Sequence, residues 1–459
     1  MMKITRYAIV VIAVTLALAS CSGVKNLKAP ELNLPPAIAL ASVDSATIAD
    51  ADWWQIYSDS TLTRIIRRVL ANNHDLKIAA DRIEELRQLY GIDRLVYTPT
   101  VTGLIGADRE TNHYSGEKPK ADTETDLKVT LNWEIDLWGG LSQQQRRSAA
   151  LYNASVEDRR ALQMTLIAET ATAYFNLVAL SSELDIVRRT LVTRSEGVEK
   201  ARLRYEGGLT SEVVYQQAQV EYATTAALVP ALESRIARAR NAITLLMGEF
   251  PDAEIGTVNL DLMHRQPDQL PTAVSSSLLE RRPDLRASRE RLRAAMAQCG
   301  VAYSDQFPRL RISLTGGWEN DGLARLLASP FSYILGSITG TVFDFGRNRR
   351  RYRAAVAAYD QARHTYERTV TAAFTEVADA IAVYNSVRLT VERRIQLRDA
   401  AYKYVTLTNR QYTAGSISYI DVMDSYRRYF DAQTSLVNAV RDQYLAMVNL
   451  YKALGGGAQ

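Results

Sequence analysis

Leu127-Lys128-Val129-Thr130-Leu131-Asn132-Trp133-Glu134-Ile135-Asp136 alternates apolar and polar side chains, residue by residue. Period two is the mark of a strand with one apolar and one polar face. The chain then runs from Leu141 to Tyr205 with no proline and a single glycine, Gly197. Along that stretch Leu162, Leu166, Ala168, Ala171, Tyr174 and Leu177 recur at helical steps. At about 1.5 Å per residue, such a helix spans roughly 90–100 Å. Its seam is rich in alanine and its other positions carry Arg, Glu, Asp and Gln, which suits close helix packing of the coiled-coil kind. A compact helical bundle is the alternative, and helices of this length fit it poorly.

The same order of elements returns later in the chain. Asp75-Leu76-Lys77 recurs as Asp284-Leu285-Arg286, Gly91 as Gly300 and Pro99 as Pro308, all 209 residues on. Asp136 recurs as Asp344 after 208, and Gly139, Glu169, Tyr205, Gly208 and Ser211 recur as Gly346, Glu376, Tyr412, Gly415 and Ser418 after 207. Matches in one order with so small a drift mark two copies of one unit. The chain therefore divides into a leader (1–20), an extended segment (21–50), a first repeat (51–250), a Pro- and Gly-containing linker (251–271), a second repeat (272–455) and a short tail (456–459). Each repeat reads as helix, β-hairpin, long helix, turn, returning helix: an α+β chain.

In the second copy Leu310, Ile312 and Leu314 alternate with Arg309, Arg311 and Ser313, and Trp318 extends the apolar face. Thr98–Ala107 and Phe331–Phe343 read as the two remaining strands, with polar loops at Asp108–Thr125 and Glu319–Ser329. Pro99 and Pro308 open their strands, where a missing N–H costs little. Strands of about ten residues with tryptophans near their ends fit a tilted membrane strand. Four strands cannot close a barrel, and an open edge does not survive in lipid. Membrane strands here require several chains to share one barrel, and three chains supply twelve strands. A half-buried sheet in a soluble domain is the competing reading.

Each long helix ends in a glycine turn: Tyr205-Glu206-Gly207-Gly208-Leu209-Thr210-Ser211 and Tyr412-Thr413-Ala414-Gly415-Ser416-Ile417-Ser418. Glycine supplies the left-handed residue that stops a helix, and Thr210 or Ser211 and Ser416 or Ser418 can cap the next. Each copy thus forms a helical hairpin. Pro230 should kink or break the first returning helix.

At the N-terminus, Lys3 and Arg6 precede an apolar run from Tyr7 to Ala17, and Leu18-Ala19-Ser20-Cys21 follows. This is the plan of a secretory leader, and the cysteine after the cut resembles the lipobox of bacterial lipoproteins. The run is too short to span a bilayer. The resemblance implies covalent lipid on Cys21, and Ser22 after it points to the outer membrane. Cys299 would then have no partner for a disulfide. Residues from Ser22 to about Val43, with Pro30, Pro35 and Pro36, read as a tether.

The 459 residues carry 55 basic and 51 acidic side chains. The balance argues neither for nor against nucleic acid, and no nucleic-acid partner is expected. Four scattered histidines offer no metal-ligand spacing. No Gly-rich phosphate loop, Gly-x-Ser-x-Gly or Cys/His arrangement is present. Neither a catalytic residue nor a cofactor beyond the lipid is expected.

Several stretches resemble the TolC-like outer-membrane factor family in its efflux lipoprotein branch. They are Trp133-Glu134-Ile135-Asp136-Leu137-Trp138-Gly139, Arg281-Arg282-Pro283-Asp284-Leu285, Phe307-Pro308, Val342-Phe343-Asp344-Phe345-Gly346, the two glycine turns and Tyr419-Ile420-Asp421-Val422-Met423-Asp424. The resemblance implies a homotrimer: a twelve-stranded transmembrane β-barrel continued by a periplasmic α-helical barrel of coiled-coil hairpins. It implies an exit duct that receives small molecules from an inner-membrane pump through a periplasmic adaptor. Leu127, Val129, Leu131, Trp133, Leu310, Ile312, Leu314 and Trp318 would then face outer-membrane lipid. Asp421 and Asp424, three residues apart on one helix face, would line the periplasmic gate with Tyr412. Three chains would bring six carboxylates together, with coupled and raised pKa values. Gly208, Leu209, Thr210, Gly415, Ser416 and Ile417 would be adaptor-docking tips, Leu209 and Ile417 being exposed apolar residues that turn chemistry alone does not explain. Ile417 stands where some members have an arginine that bridges the helices. That bond cannot form here, so the closed state is held differently or less firmly. A lipid-anchored periplasmic coiled-coil scaffold or adaptor without a membrane barrel is the alternative function.

Overall fold

The computed structural model describes residues 53–113, 115–116, 118–263, 282–341 and 343–456. The leader, Cys21, the tether, the second half of the linker, Arg281, Val342 and the last three residues lie outside the described residues. Helices α1 (Ser60–Asn72) and α2 (His74–Leu95) lead into strands β1 (Thr100–Asn112) and β2 (Lys120–Ile135). Helix α3 (Gly140–Glu206) follows, with α4 (Glu212–Ala226) and α5 (Leu228–Leu246) returning. The second half holds α6 (Pro283–Ser304), β3 (Arg309–Asn320), β4 (Pro330–Thr339), α7 (Arg347–Thr413) and α8 (Tyr419–Ala453). Both long helices have 67 residues and start and stop within one residue of the proline-free stretches that predict them, Leu141–Tyr205 and Asn348–Thr413.

The described residues fall into two compact units. One comprises Arg82–Val156 and Ala287–Glu367; the other comprises 53–81, 157–263, 282–286 and 368–456.

The first unit holds one antiparallel sheet in the order β1-β2-β3-β4, so the hairpins of the two repeats join through β2 and β3. Residues directly opposite each other share a face. Leu127 lies opposite Trp318, Leu131 opposite Leu314, Trp133 opposite Ile312 and Ile135 opposite Leu310. The eight sequence-named strand residues therefore occupy one face. Val101 and Ile105 of β1 and Ile334 and Ile338 of β4 join them through the neighbouring ladders. The other face is polar along β2 and β3, where the Thr130 and Thr315 hydroxyls meet at 3.1 Å and Arg311 pairs with Glu134 at 3.1 Å; on the edge strands it also carries Leu104, Phe331, Tyr333 and Leu335. The Trp133 and Trp318 rows are six residues apart on β2, about 20 Å along the strand.

The strands differ from the sequence expectation at the first hairpin loop and at the end of β4. The β1–β2 ladder continues through Asp108↔Glu124 to Asn112↔Lys120, so the loop shrinks from 108–125 to 113–119. Backbone pairing does not need apolar side chains, and beyond the apolar band both faces are polar. β4 stops at Thr339 rather than Phe343, because its ladder with β3 ends at Arg309.

Asp136 and Asp344 start the long helices in the same way. Asp136 accepts the Leu141 and Ser142 amides at 3.0 and 2.9 Å. Asp344 accepts those of Gly346 and Asn348 at 2.9 and 2.8 Å. These are side-chain caps on otherwise orphan N–H groups.

The second unit is built round an aromatic core. Phe175 stacks on Tyr444 at 4.5 Å, and Tyr57 meets both edge-on. Tyr174 donates to Asp59 at 2.9 Å, while Asp59 also caps α1 through the Leu62 amide at 2.7 Å. Leu62, Ile65, Ile66 and Val69 bury the α1 face completely. The first returning helix bends at Ala227, three residues before Pro230. Pro230 then sits in the first turn of α5, where its missing N–H breaks no intrahelical bond.

Candidate functional site

The two hairpin tips lie in the second unit and share one construction. At the first, the Leu209 amide donates to the Arg204 carbonyl at 2.8 Å and the Gly208 amide to Tyr205 at 2.9 Å. At the second, Ser416 donates to Gln411 and Gly415 to Tyr412, both at 3.0 Å. Each pair is the 6→1 and 5→2 pattern that closes a helix on a left-handed residue. Gly208 and Gly415, with φ of 68° and 74°, are those residues. Ser211 and Ser418 take the N-cap positions of α4 and α8. Leu209 is 72% exposed, as expected of a docking residue, whereas Ile417 is half-buried. The exposed apolar surface of the second tip is carried by Ile420 instead, one turn on.

The tips meet through aromatic rings and one cation. The Arg204 guanidinium carbon lies 5.3 Å from the Tyr412 ring centroid, within cation–π range. Tyr412 packs on Tyr419 at 5.4 Å. The Tyr419 hydroxyl reaches the backbone of α3 at Gly197, where a Cβ would stand only 2.7 Å from the oxygen. Burial, with Tyr412 and Tyr426 alongside, pushes that hydroxyl's pKa up. Gly197 was visible in the sequence as the lone glycine of a long helix, but its partner was not.

Asp421 and Asp424 stand one turn apart on α8 but do different work. Asp421 accepts the Ser418 amide and hydroxyl, both at 3.0 Å, and so fixes the start of the helix. Asp424 accepts from Arg427 at 2.6 Å and from Arg428 at 2.7 Å. The hydrogen bond from Arg428, seconded by Arg427, holds the Asp424 carboxyl below the usual range. The expectation of raised carboxylates concerns the six brought together by three chains; within one chain, Asp424 is held low.

Beside the tips, α4 and α8 enclose a groove of about 570 Å³. Its walls include Val213, Val220, Ile420 and Met423 with Asp424 and Arg427. Deeper in, Arg194 staples α3 to α4: it pairs with the Glu221 carboxylate at 2.8 Å and donates to the Glu221 carbonyl at 2.6 Å and to the Thr225 hydroxyl. Arg282 is a second such hub. It binds Asp284 at 3.0 and 2.7 Å, Glu376 at 2.7 Å and the Ala453 carbonyl at 2.9 Å, and its side chain fills the space beside Gly455. The Arg-Pro-Asp-Leu stretch is thus a clamp on the end of α8, a role its sequence does not announce.

The family model described as outer membrane efflux protein matches residues 65–249 and 274–456. The solvent efflux pump outer membrane protein SrpC of Pseudomonas putida is 30% identical over 410 residues, 88% of this chain and 87% of its own. The probable outer membrane lipoprotein SilC of Salmonella typhimurium is 28% identical over 444 residues, covering 94% and 95%. The solved outer-membrane channel OprN superposes with a TM-score of 0.82 at 29% identity, covering 94% of this chain and 99% of that one.

Proposed function

The chain belongs to the outer membrane efflux protein family, and from that premise we propose that it is the outlet of a three-part efflux machine. It is an outer-membrane efflux channel with the fold of trimeric TolC-like channels. In the machine, a periplasmic adaptor and an inner-membrane pump deliver small molecules to it. The cargo is of the organic solvent or antibiotic class that the names of its relatives carry. The lipid-anchored scaffold without a barrel is set aside by the family match and the channel fold.

The observation that carries the reading is the largely apolar face of the sheet, bounded by tryptophan rows about 20 Å apart. An apolar band of about 25 Å flanked by aromatics is what a membrane barrel presents to lipid. In this proposal Leu127, Val129, Leu131, Trp133, Leu310, Ile312, Leu314 and Trp318 face lipid, and Cys21 carries the covalent anchor, as the named lipoprotein relative supports. Gly208, Leu209, Thr210, Gly415, Ser416 and Ile417 form the tips that meet the adaptor, with Ile420 as a further apolar contact. Tyr412, Asp421 and Asp424 belong to the periplasmic gate. Each repeat supplies one hairpin tip, which gives the domain division above its functional sense.

Planar-bilayer conductance of the purified trimer, wild type beside Asp421→Ala/Asp424→Ala, tests the gate. A small cation-selective conductance that loses selectivity in the variant supports it. Unchanged selectivity removes the two carboxylates from the gate. Failure of the trimer to insert at all sinks the barrel.

A further inference from the structure

The junction between β4 and α7 differs from its counterpart between β2 and α3 in three ways. First, it is one residue shorter: Asp344 and Gly346 stand where Asp136 and Gly139 stand. Only Gly139 takes positive φ at the longer turn, whereas at the shorter one both Phe345 (φ 53°) and Gly346 (φ 79°) do. A bulky residue in the left-handed region is strained. Second, Trp138 of the longer turn is bedded in the protein, stacked on Phe307 at 4.8 Å and donating to the Pro308 carbonyl at 2.6 Å. Phe345 and Phe343 instead touch each other edge-on at 4.5 Å and are 86% and 73% exposed. Third, α7 opens with Arg347, Arg349, Arg350, Arg351 and Arg353, all exposed, where α3 has Gly140, Ser142, Gln143, Gln144 and Arg146. The first turn of α7 has no acidic residue. Among the described residues, Arg349, Arg350, Arg351 and Arg353 make no ion pair. Cations there oppose the helix dipole, so the arrangement costs stability and is not a capping device. The helix amides are already taken by Asp344.

Position supplies the reason. β4 carries Ile334 and Ile338, exposed on the apolar face of the sheet, and α7 continues into the periplasmic helices. The junction therefore lies at the periplasmic boundary of the membrane. Exposed aromatic side chains at that depth, followed at once by clustered arginines, suit one surface: the interfacial layer of a leaflet with anionic headgroups. We infer that Phe343 and Phe345 seat in the periplasmic leaflet of the outer membrane, and that the arginines at the start of α7 bind anionic phospholipid headgroups. Phosphate oxygens accept from guanidinium groups in fork geometry, and the aromatic pair sets the depth at which they meet. The lipid contact belongs to the second repeat alone, because the first has glutamines in the corresponding helical turn.

The test uses the full-length trimer and phosphatidylglycerol as the probe, with phosphatidylcholine as the neutral control. Native mass spectrometry counts retained lipid for wild type and for Arg349→Gln/Arg350→Gln/Arg351→Gln, which introduces the glutamine chemistry of the first repeat. Retention of phosphatidylglycerol should fall about fivefold for each arginine that reaches a headgroup, while phosphatidylcholine retention is unchanged. In bilayers, Phe345→Trp should be quenched by lipids brominated near the headgroup, read as the difference from wild type. Equal phosphatidylglycerol retention in wild type and triple variant overturns the proposal. So does an unquenched Phe345→Trp indole, which would place the pair against a second copy of the chain. A triple variant with altered ion selectivity and unaltered lipid retention would put the arginines in the lumen and likewise overturn it. Channel conductance in the same bilayers reports the duct separately from the lipid site.

Discussion

Replacing Gly197 with alanine adds one methyl group to α3, at a point where its carbon would stand 2.7 Å from the Tyr419 hydroxyl oxygen. Two effects of opposite sign follow. The helix gains about 0.8–1 kcal/mol, because glycine is the poorer helix former in an interior position. The contact must open towards an ordinary van der Waals separation of about 3.5 Å, and forcing an extra methyl into a packed site costs about 1–3 kcal/mol. The clash wins by about 1 kcal/mol and is felt at the first turn of α8, because Tyr419 is its first residue. Hydrogen exchange of the intact trimer reads this directly. Amides of residues 419–424 should exchange about fivefold faster in Gly197→Ala than in wild type. Gly197→Ala/Tyr419→Phe withdraws the contact by one C–O bond and should restore protection, keeping the helix gain in α3. The single variant should also shift channel opening, because Tyr419 packs on Tyr412 and Tyr412 carries Arg204. Unchanged or slower exchange at 419–424 in the single variant, with no rescue by the second change, would refute the reasoning. Gly197 would then be a glycine without a packing role.

Three further outcomes follow from the same geometry. The Asp424 carboxyl is held low by Arg428 and Arg427, so the pair's contribution is complete above the ordinary carboxylate value of about 3.9 and is lost as pH falls through the lowered one. Amide protection around residue 424 should hold from neutral pH to about pH 4 and drop below it, and Asp424→Asn should remove that pH dependence. Arg282→Ala frees a buried carbonyl at Ala453 and two carboxylates that are 35% and 56% exposed and can rehydrate. It should cost about 2–3 kcal/mol, less than a fully buried pair, seen as faster exchange in the last turn of α8. Tyr174→Phe leaves the buried Asp59 with one acceptor unpaired. That should cost about 1–3 kcal/mol and lower the melting temperature of the purified protein.

The sequence by itself determined the elements and their order. Period-two alternation at 127–136 and 309–314 set two strands and their apolar face. The absence of proline over long stretches set α3 and α7 to within a residue, because a helix continues until something stops it. Glycine stopped both, at turns whose left-handed residue only glycine fills cheaply. The tertiary structure decided what meets what. The β2–β3 joint pairs residues some 180 positions apart, such as Leu131 with Leu314, and local pattern carries no information about such pairing. Asp424 was legible as a gate candidate, but its pairing with Arg427 and Arg428, one turn away on its own face, is a matter of side-chain geometry. Gly197 was legible only as the single glycine of a long helix; that Tyr419, from the other repeat, lies on it is decided by packing. A side chain's electrostatics and its room are set by neighbours in space, and most of these come from distant parts of the chain.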